Sequence, residues 1–415
     1  MVCLVAPAEA LDPTRTLTQY AIDHWTTEQG LPKNAVHAIA QTPDGYLWVG
    51  TEGGLVRFDG VRFVPFRHAD APALEGVNVT ALLVTRDGAL WIATDGGLVA
   101  RYLNGGIQLY HPPAGTTLST IRGLIQDREN AIWVGAWEGV YVVGREGLEP
   151  VAGAGEGIYR FAIDEAGQLW AASRGGLRRV GRDATTTIRR ADGLPGNIVH
   201  GVWPARGGGV WLTSVGHVVR YRDGVEAISQ SPAPVPGALL RTVLVDRHGT
   251  VWVGGWGGLA RLVDGVFDAM PAREGLINQA VVSMFEDREG SLWIGTRGGG
   301  LARVRDSLVV THSSPEGLSR PDTQGVLADR QGRVWVGVSD AGVDVFEGGR
   351  WRHVDETPLL RDTQLLAVAQ DSADAIWFGT EDGLVSLRDG TYRRHALPGL
   401  APDVVIGSAM AARNG

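Results

Sequence analysis

Nine times along the chain an aliphatic residue precedes a tryptophan, and a small side chain follows that tryptophan at a distance of two. The tryptophans are Trp48, Trp91, Trp133, Trp170, Trp211, Trp252, Trp293, Trp335 and Trp377, spaced 37 to 43 residues apart. Each is preceded by Leu, Ile or Val, as in Leu47, Ile132 and Val251, and the small position holds residues such as Gly50, Ala93, Thr213 and Gly254. Alternation along a strand puts the indole and the small residue on one face. The expectation is that a large ring from a neighbouring unit lies over the small position, so that the tryptophan joins one unit to the next.

Turns bound these strands. Three residues before the tryptophan stands Gly in seven copies, with Asn130 and Asp374 in the other two, and these are the residue types that accept positive φ in tight hairpins. A second turn follows at Gly54 and its equivalents, replaced by His217 in the fifth copy. A short strand (55–60), a more polar one (61–66) and a strand before the first turn (35–42) complete the unit. Four short antiparallel strands at this period predict the blade of a β-propeller, an all-β fold.

The ends of the chain predict how the blades close. Residues 17–33 end in QGLPKN (29–34), which recurs as DGLPGN (192–197) and more loosely as EGLINQ (274–279) and EGLSRP (316–321). In the later copies that ending lies between an outer strand and the next inner strand, so the chain is expected to begin with an outer strand. That strand would complete the seventh copy, whose own strands end near Asp306, and so remove an open sheet edge. Residues 404–415 read as the inner strand and first turn of a tenth copy, which predicts a fragment of a longer polypeptide. Nine full repeats with partial blades at both ends therefore divide into a first seven-bladed propeller (11–306) and the first blades of an incomplete second one (307–415).

Composition changes the picture in two respects. The formal net charge of -8 and the pI near 5.7 argue against a nucleic-acid surface. A single cysteine, Cys3, excludes an intrachain disulfide framework. The opening ten residues, MVCLVAPAEA, end in an Ala-Glu-Ala cleavage pattern and are expected to be the remnant of a secretion signal, with the mature chain starting near Leu11. No apolar run of 18 or more residues is present to span a membrane.

The run DREGSLWIGTRGGGL (287–301), with the opening HWTTEQGLPKNAVHAIAQTPDGYLWVGTEGGLVRFDG (24–60), resembles the two-component regulator propeller repeat. The resemblance covers residues 17–415. It implies the periplasmic sensor region of a bacterial hybrid histidine kinase or diguanylate cyclase: two seven-bladed propellers, a small β-sandwich, a membrane helix and a cytoplasmic signalling module. The full-length protein would be a homodimer attached to the inner membrane only by a later segment.

Candidate chemistry is sparse. There is no nucleophile elbow, zinc-protease helix, Cys/His metal spacing or phosphate-binding loop, so no catalytic residue, metal or cofactor is expected. Asp127, Asp164, Asp246, Asp287, Asp329 and Asp371 recur six residues before a tryptophan and read as turn caps. His24, His37, His68, His200, His217 and His248 share no spacing and read as surface or pocket residues, and Asn34, Asn78, Asn197 and Asn278 as structural. What recurs builds the scaffold, and what departs from the pattern in a loop is a candidate for recognition. Trp137 with Glu138, and Trp256, follow the tryptophan strand where other copies carry Glu52, Asp95, Arg174, Arg297 or Glu381. Tyr159, Arg160 and Arg241, placed before inner strands, extend the set. Indoles beside charged groups suit a small polar ligand such as an oligosaccharide. The alternatives are that Trp137 and Trp256 only pack blades together, that the fold carries a lyase or glycan hydrolase, or that it is a protein-interaction platform.

Overall fold

The computed structural model of the chain describes residues 11–181, 184–230, 240–270, 280–307, 312–339, 341–354, 357–361 and 363–396. These form nine four-stranded antiparallel sheets, five short 3-10 turns and, among the described residues, no α-helix. The secretion-signal remnant, Asn278 with its EGLINQ segment and the tenth copy lie outside the described residues. Two compact units result, Met1–Ser307 and Leu308–Gly415. In the first, seven inner strands stand side by side in chain order: Val36–Gln41, Val79–Val84, Ile121–Gln126, Ile158–Ile163, Val199–Pro204, Leu240–Val245 and Val281–Glu286. The seventh lies against the first. The second unit holds two sheets of the same strand order, with inner strands Thr323–Ala328 and Leu365–Gln370.

Each repeat tryptophan lies in the second strand of its sheet, and those from Trp48 to Trp335 pack across to the next one. Trp48 shares a core with Leu55 of its own blade and with Leu74, Val79, Leu90 and Ile92 of the following blade. Trp252 does the same with Leu259 on one side and Val281, Leu292 and Ile294 on the other. The small residue is covered differently from the expectation. A Cβ at Gly50 would stand 2.7 Å from Val79, one at Gly254 2.3 Å from Val281, and one at Gly337 2.7 Å from Leu365. An aliphatic residue opening the next inner strand occupies the space, not an aromatic ring. At Gly135 a ring, Phe161, joins Ile158 in doing so. The position is small because neighbouring inner strands approach there, and any added methyl would push blades apart.

The recurrent aspartate does more than cap a turn. Asp246 Oδ1 accepts the backbone N–H groups of His248 and Thr250, both at 2.9 Å, and its Oδ2 accepts the indole N–H of Trp252 at 2.8 Å. The same indole–carboxylate bond ties Trp133 to Asp127, Trp170 to Asp164, Trp293 to Asp287, Trp335 to Asp329 and Trp377 to Asp371. Each aspartate thus fixes the hairpin turn and the rotamer of the tryptophan together. Trp48 uses Thr42 Oγ1 instead, at 2.9 Å. Trp91 has no partner for its buried N–H, although Thr85 stands in the equivalent place and, like Thr42, donates its hydroxyl to the aspartate two residues on. In the turns themselves Gly45 has φ of 90°, and the substitutes Asn130 and Asp374 take 69° and 64°, so all three occupy the left-handed region that the turn requires.

One latch was not apparent from the repeat pattern. The residue after the cap position is often arginine, and its guanidinium reaches the turn carbonyls of the next blade: Arg86 to Asp127 O at 2.8 Å, Arg247 to Arg288 O at 2.9 Å, Arg330 to Asp371 O at 2.8 Å. Arg288 donates to Pro43 O at 2.8 Å, which connects the seventh sheet to the first. The N-terminal strand Tyr20–Trp25 pairs antiparallel with Leu301–Asp306 and becomes the outer strand of the seventh sheet, with Tyr20 opposite Asp306 and Trp25 opposite Leu301. Asp23 holds it there by accepting from Arg303 at 2.7 Å and Arg305 at 2.9 Å. Trp25 stacks on Trp293, ring centroids 5.3 Å apart.

Trp252→Ala is expected to lower unfolding stability by roughly 3–5 kcal/mol, read by chemical denaturation. The phenylalanine variants separate packing from the indole bond. Trp252→Phe leaves Asp246 Oδ2 without its donor and should cost about 1–3 kcal/mol more than Trp91→Phe, which removes a buried N–H that has no partner. Equal losses in the two would show that the indole–carboxylate bond is not what distinguishes these sites.

Candidate functional site

The inner strands of the first unit carry a shared irregularity. In each, the pairing with the second strand skips one residue, at Val36/Ala38, Val79/Ala81, Ile121/Gly123, Ile158/Arg160, Val199/Gly201, Leu240/Thr242 and Val281/Ser283. The skipped residues are His37, Thr80, Arg122, Tyr159, His200, Arg241 and Val282. A bulged residue leaves the ladder and its side chain is aimed away from the pleat. All seven line one cavity of about 480 Å³. Glu52, Asp95, Trp256 and Arg297, which stand four residues after their tryptophans, contribute a second tier to its wall, with Asn78 and Thr120 between them.

Of the eight residues singled out from sequence, Tyr159, Arg160, Arg241, Trp256 and Arg297 line this cavity, whereas Trp137, Glu138 and Arg174 are not part of its wall. Trp137 stands beside it, its ring edge-on to Tyr159 at 6.2 Å with the Arg174 guanidinium 5.8 Å above it. Glu138 is committed to the entry loop of its own blade, where it accepts from Ser119 N at 3.0 Å and Ser119 Oγ at 2.6 Å. Tyr159, Arg160 and Arg241 do not precede inner strands, as the sequence implied, but lie within them. Trp137 and Trp256 are 38% and 44% exposed, against 1% for Trp252, so they are not blade-packing residues of the same kind. Asn34 and Asn197 are structural: each accepts from the backbone N–H that opens a 3-10 turn, Thr27 at 2.8 Å and Arg190 at 2.9 Å. Asn78 instead faces the cavity and donates to Asp95 at 3.0 Å.

Electrostatically the cavity has two sides. Glu52 and Asp95 come from the first two blades, with His37 Nε2 3.5 Å from Glu52 Oε1. Arg122, Arg160, Arg241 and Arg297 come from the third, fourth, sixth and seventh. Arg160 takes the strand position that holds Ala38, Ala81, Gly123, Gly201, Thr242 and Ser283 in the other blades. Its long side chain crosses to donate to Val282 O at 2.9 Å. Burial lowers the pKa of this guanidinium and that of Arg241, where Arg122 and Arg297 act in the same direction. Burial also lowers the pKa of His37, against the pull of Glu52. His200 is pushed down to about 4, first by burial and then by Arg241 and Arg122. Its Nδ1 is buried without a partner, and its ring lies 5.2 Å from that of Tyr159. Among the described residues no group of three or more His, Cys, Asp and Glu is placed to hold a metal ion.

The arrangement predicts a pH signature. His200 is neutral at pH 7, and an NMR titration of its ring should give a midpoint near 4. Between the ordinary value of 6.5 and that midpoint the unfolded chain binds a proton that the folded chain does not, so this residue reduces stability as pH falls through that window. Arg241→Gln should raise the midpoint; an unchanged midpoint would place Arg241 too far away to act.

The sequence matches the family described as the two component regulator propeller at residues 30–53, 73–96 and 275–298. No curated protein matches it in sequence. Among solved structures it is similar to the extracellular domain of the hybrid two component system BT3049 from B. thetaiotaomicron, with a TM-score of 0.69 and 21% identity over 93% of this chain and 55% of that one. The extracellular domain of BT4673 from the same organism aligns with a TM-score of 0.57 and 18% identity, over 92% and 54%. The chain therefore spans about half the length of these two extracellular domains. A streptogramin B lyase aligns over 71% of this chain and 100% of its own length, with a TM-score of 0.57 and 14% identity. Nine four-stranded sheets and the tryptophan rhythm make the chain a β-propeller protein, three segments of which match the two component regulator propeller family.

Proposed function

We propose that this chain is the ligand-sensing part of a transmembrane signalling protein, exposed in the periplasm, and that it regulates a kinase or cyclase domain encoded elsewhere in the polypeptide. On this reading residues 11–306 form one closed seven-bladed propeller and residues 307–415 open a second. The observation that carries it is the convergence of seven bulged positions, one per inner strand, on a single cavity. A rigid ring that presents seven side chains of five kinds to one small volume is suited to recognition of a small polar molecule. The likeness to extracellular domains of two-component systems supports the same reading. Transmission requires that the ligand favour one arrangement of the protein over another.

One observation favours a second reading, an enzyme. His37 and Glu52 stand together in the cavity as an acid–base pair would, and streptogramin lyases share the fold. The two readings differ in what becomes of the bound molecule: a sensor releases it unchanged.

Calorimetric titration with a panel of small polar compounds, oligosaccharides included, should find a ligand whose affinity falls about tenfold in Trp256→Ala with the fold intact. Trp137→Ala, outside the cavity wall, should weaken binding less. An affinity indifferent to Trp256→Ala would remove the cavity from the reading. Recovery of converted ligand, with conversion abolished in His37→Ala, would replace sensing by catalysis.

A further inference from the structure

Four arginines converge on the cavity without a carboxylate partner. Elsewhere the protein, with 46 acidic against 38 basic residues, often gives its arginines a carboxylate: Arg101 has Asp87 at 2.7 Å, Arg220 has Glu226 at 2.8 Å, Arg303 has Asp23 at 2.7 Å. Among the described residues Arg122, Arg160, Arg241 and Arg297 have none. Arg160 donates only to a backbone carbonyl. Arg122 and Arg297 lie over aromatic rings, 5.8 Å from Tyr159 and 5.7 Å from Trp256, which position them without neutralising them. Arg241 is close enough to Arg122 and Arg297 for each to disfavour its charge. Four guanidinium groups facing one cavity repel one another, and a buried guanidinium without a counter-charge is costly to the folded state. Glu52 and Asp95, on the two blades between those that carry Arg297 and Arg122, offset two of the four charges. The two remaining positive charges lie in a concave, partly desolvated space that concentrates their field.

We infer that the cavity is a receptor for a small dianion, whose anionic groups sit among Arg122, Arg160, Arg241 and Arg297 and whose hydroxyl or other donor groups face Glu52, Asp95 and Asn78. This rests on the sensing reading and adds the charge and polarity of its ligand. Planar guanidinium groups bind carboxylate, sulfate and phosphate oxygens in pairs, and the geometry serves an inorganic oxyanion or an organic diacid. The ring of the neutral His200, between Arg122 and Arg241, gives a built-in reporter, because a dianion beside it favours its protonated form.

The test uses sulfate, phosphate, tartrate and, as the neutral four-carbon counterpart of tartrate, erythritol. Calorimetry at low salt and the His200 NMR titration are followed in the whole chain and in Arg241→Gln and Arg122→Gln, with Arg62→Gln on an outer turn as the control. A dianion should bind, raise the His200 midpoint, lose about tenfold or more in affinity in each cavity variant and none in the control. Sulfate or phosphate binding as tightly as tartrate identifies the oxyanion as the ligand; preference for tartrate identifies an organic diacid. If either variant fails to fold, the His200 shift in the unaltered chain still decides. Erythritol or a neutral oligosaccharide binding in the cavity while all three anions, including sulfate, which stays doubly charged throughout the titration, leave His200 unmoved would overturn the inference and leave the sensing reading standing. Binding by none of the probes, neutral or charged, would overturn both.

Discussion

The fold depends on one contact made repeatedly: an indole laid across the gap between two sheets, with its N–H fixed by the carboxylate of the turn that precedes it. Neither part suffices alone. Hydrophobic burial of the ring supplies most of the attraction between blades but sets no orientation. The hydrogen bond to Asp246 or its equivalents selects one rotamer, and so sets the distance at which the next inner strand can approach. Because the same carboxylate also accepts two turn N–H groups, a hairpin and an interface are specified by a single residue. Repetition of that unit makes the blades nearly interchangeable, each blade of the first unit being stabilised by its two neighbours.

A ring of such units has a weakness where its first and last sheets meet, and three independent contacts cover it in the first unit. The strand Tyr20–Trp25 supplies backbone pairing, Asp23 supplies two guanidinium partners, and Arg288 supplies the latch to Pro43. The latch is the same device that connects adjacent blades elsewhere. Closure is therefore not a special structure grafted onto the repeat but the repeat itself with one strand taken from the far end of the chain.

Most of this architecture was legible in the sequence, because period, turn chemistry and alternation are local properties. The N-terminal outer strand was legible for the same reason: its QGLPKN ending recurs between later blades. The covering of the small residue was misjudged, since alternation gives the face of a residue but not what opposes it from the next blade. The cavity was legible only in part. Trp256 and Arg297 depart from a loop consensus and are visible as such, but Arg122 and Thr80 stand inside strands where no consensus marks them, and His37 and His200 share no spacing that joins them. A bulge was the obstacle. Counting alternation through Val36-His37-Ala38 leaves His37 as an ordinary surface residue of a strand, whereas the skipped pairing turns it to the cavity. The available signal was a column: between an aliphatic and a mostly small residue, the seven inner strands read His, Thr, Arg, Tyr, His, Arg and Val, with no common character. Glu138 was misplaced for a different reason, because its bond to Ser119 links two loops of one blade, and sequence proximity gives no hint of it.

The skipped pairing at every inner strand has an implication for how such proteins diversify. A residue outside the ladder can be exchanged without disturbing a backbone hydrogen bond of the sheet, although Thr80 also donates its hydroxyl to Ile121 O of the next blade. The first unit thus resembles a fixed dial with seven settings, each free to change while the mechanism behind it is held constant. New binding preferences in this architecture are reachable by single substitutions whose thermodynamic effect on the scaffold is small, so specificity and foldability are inherited separately.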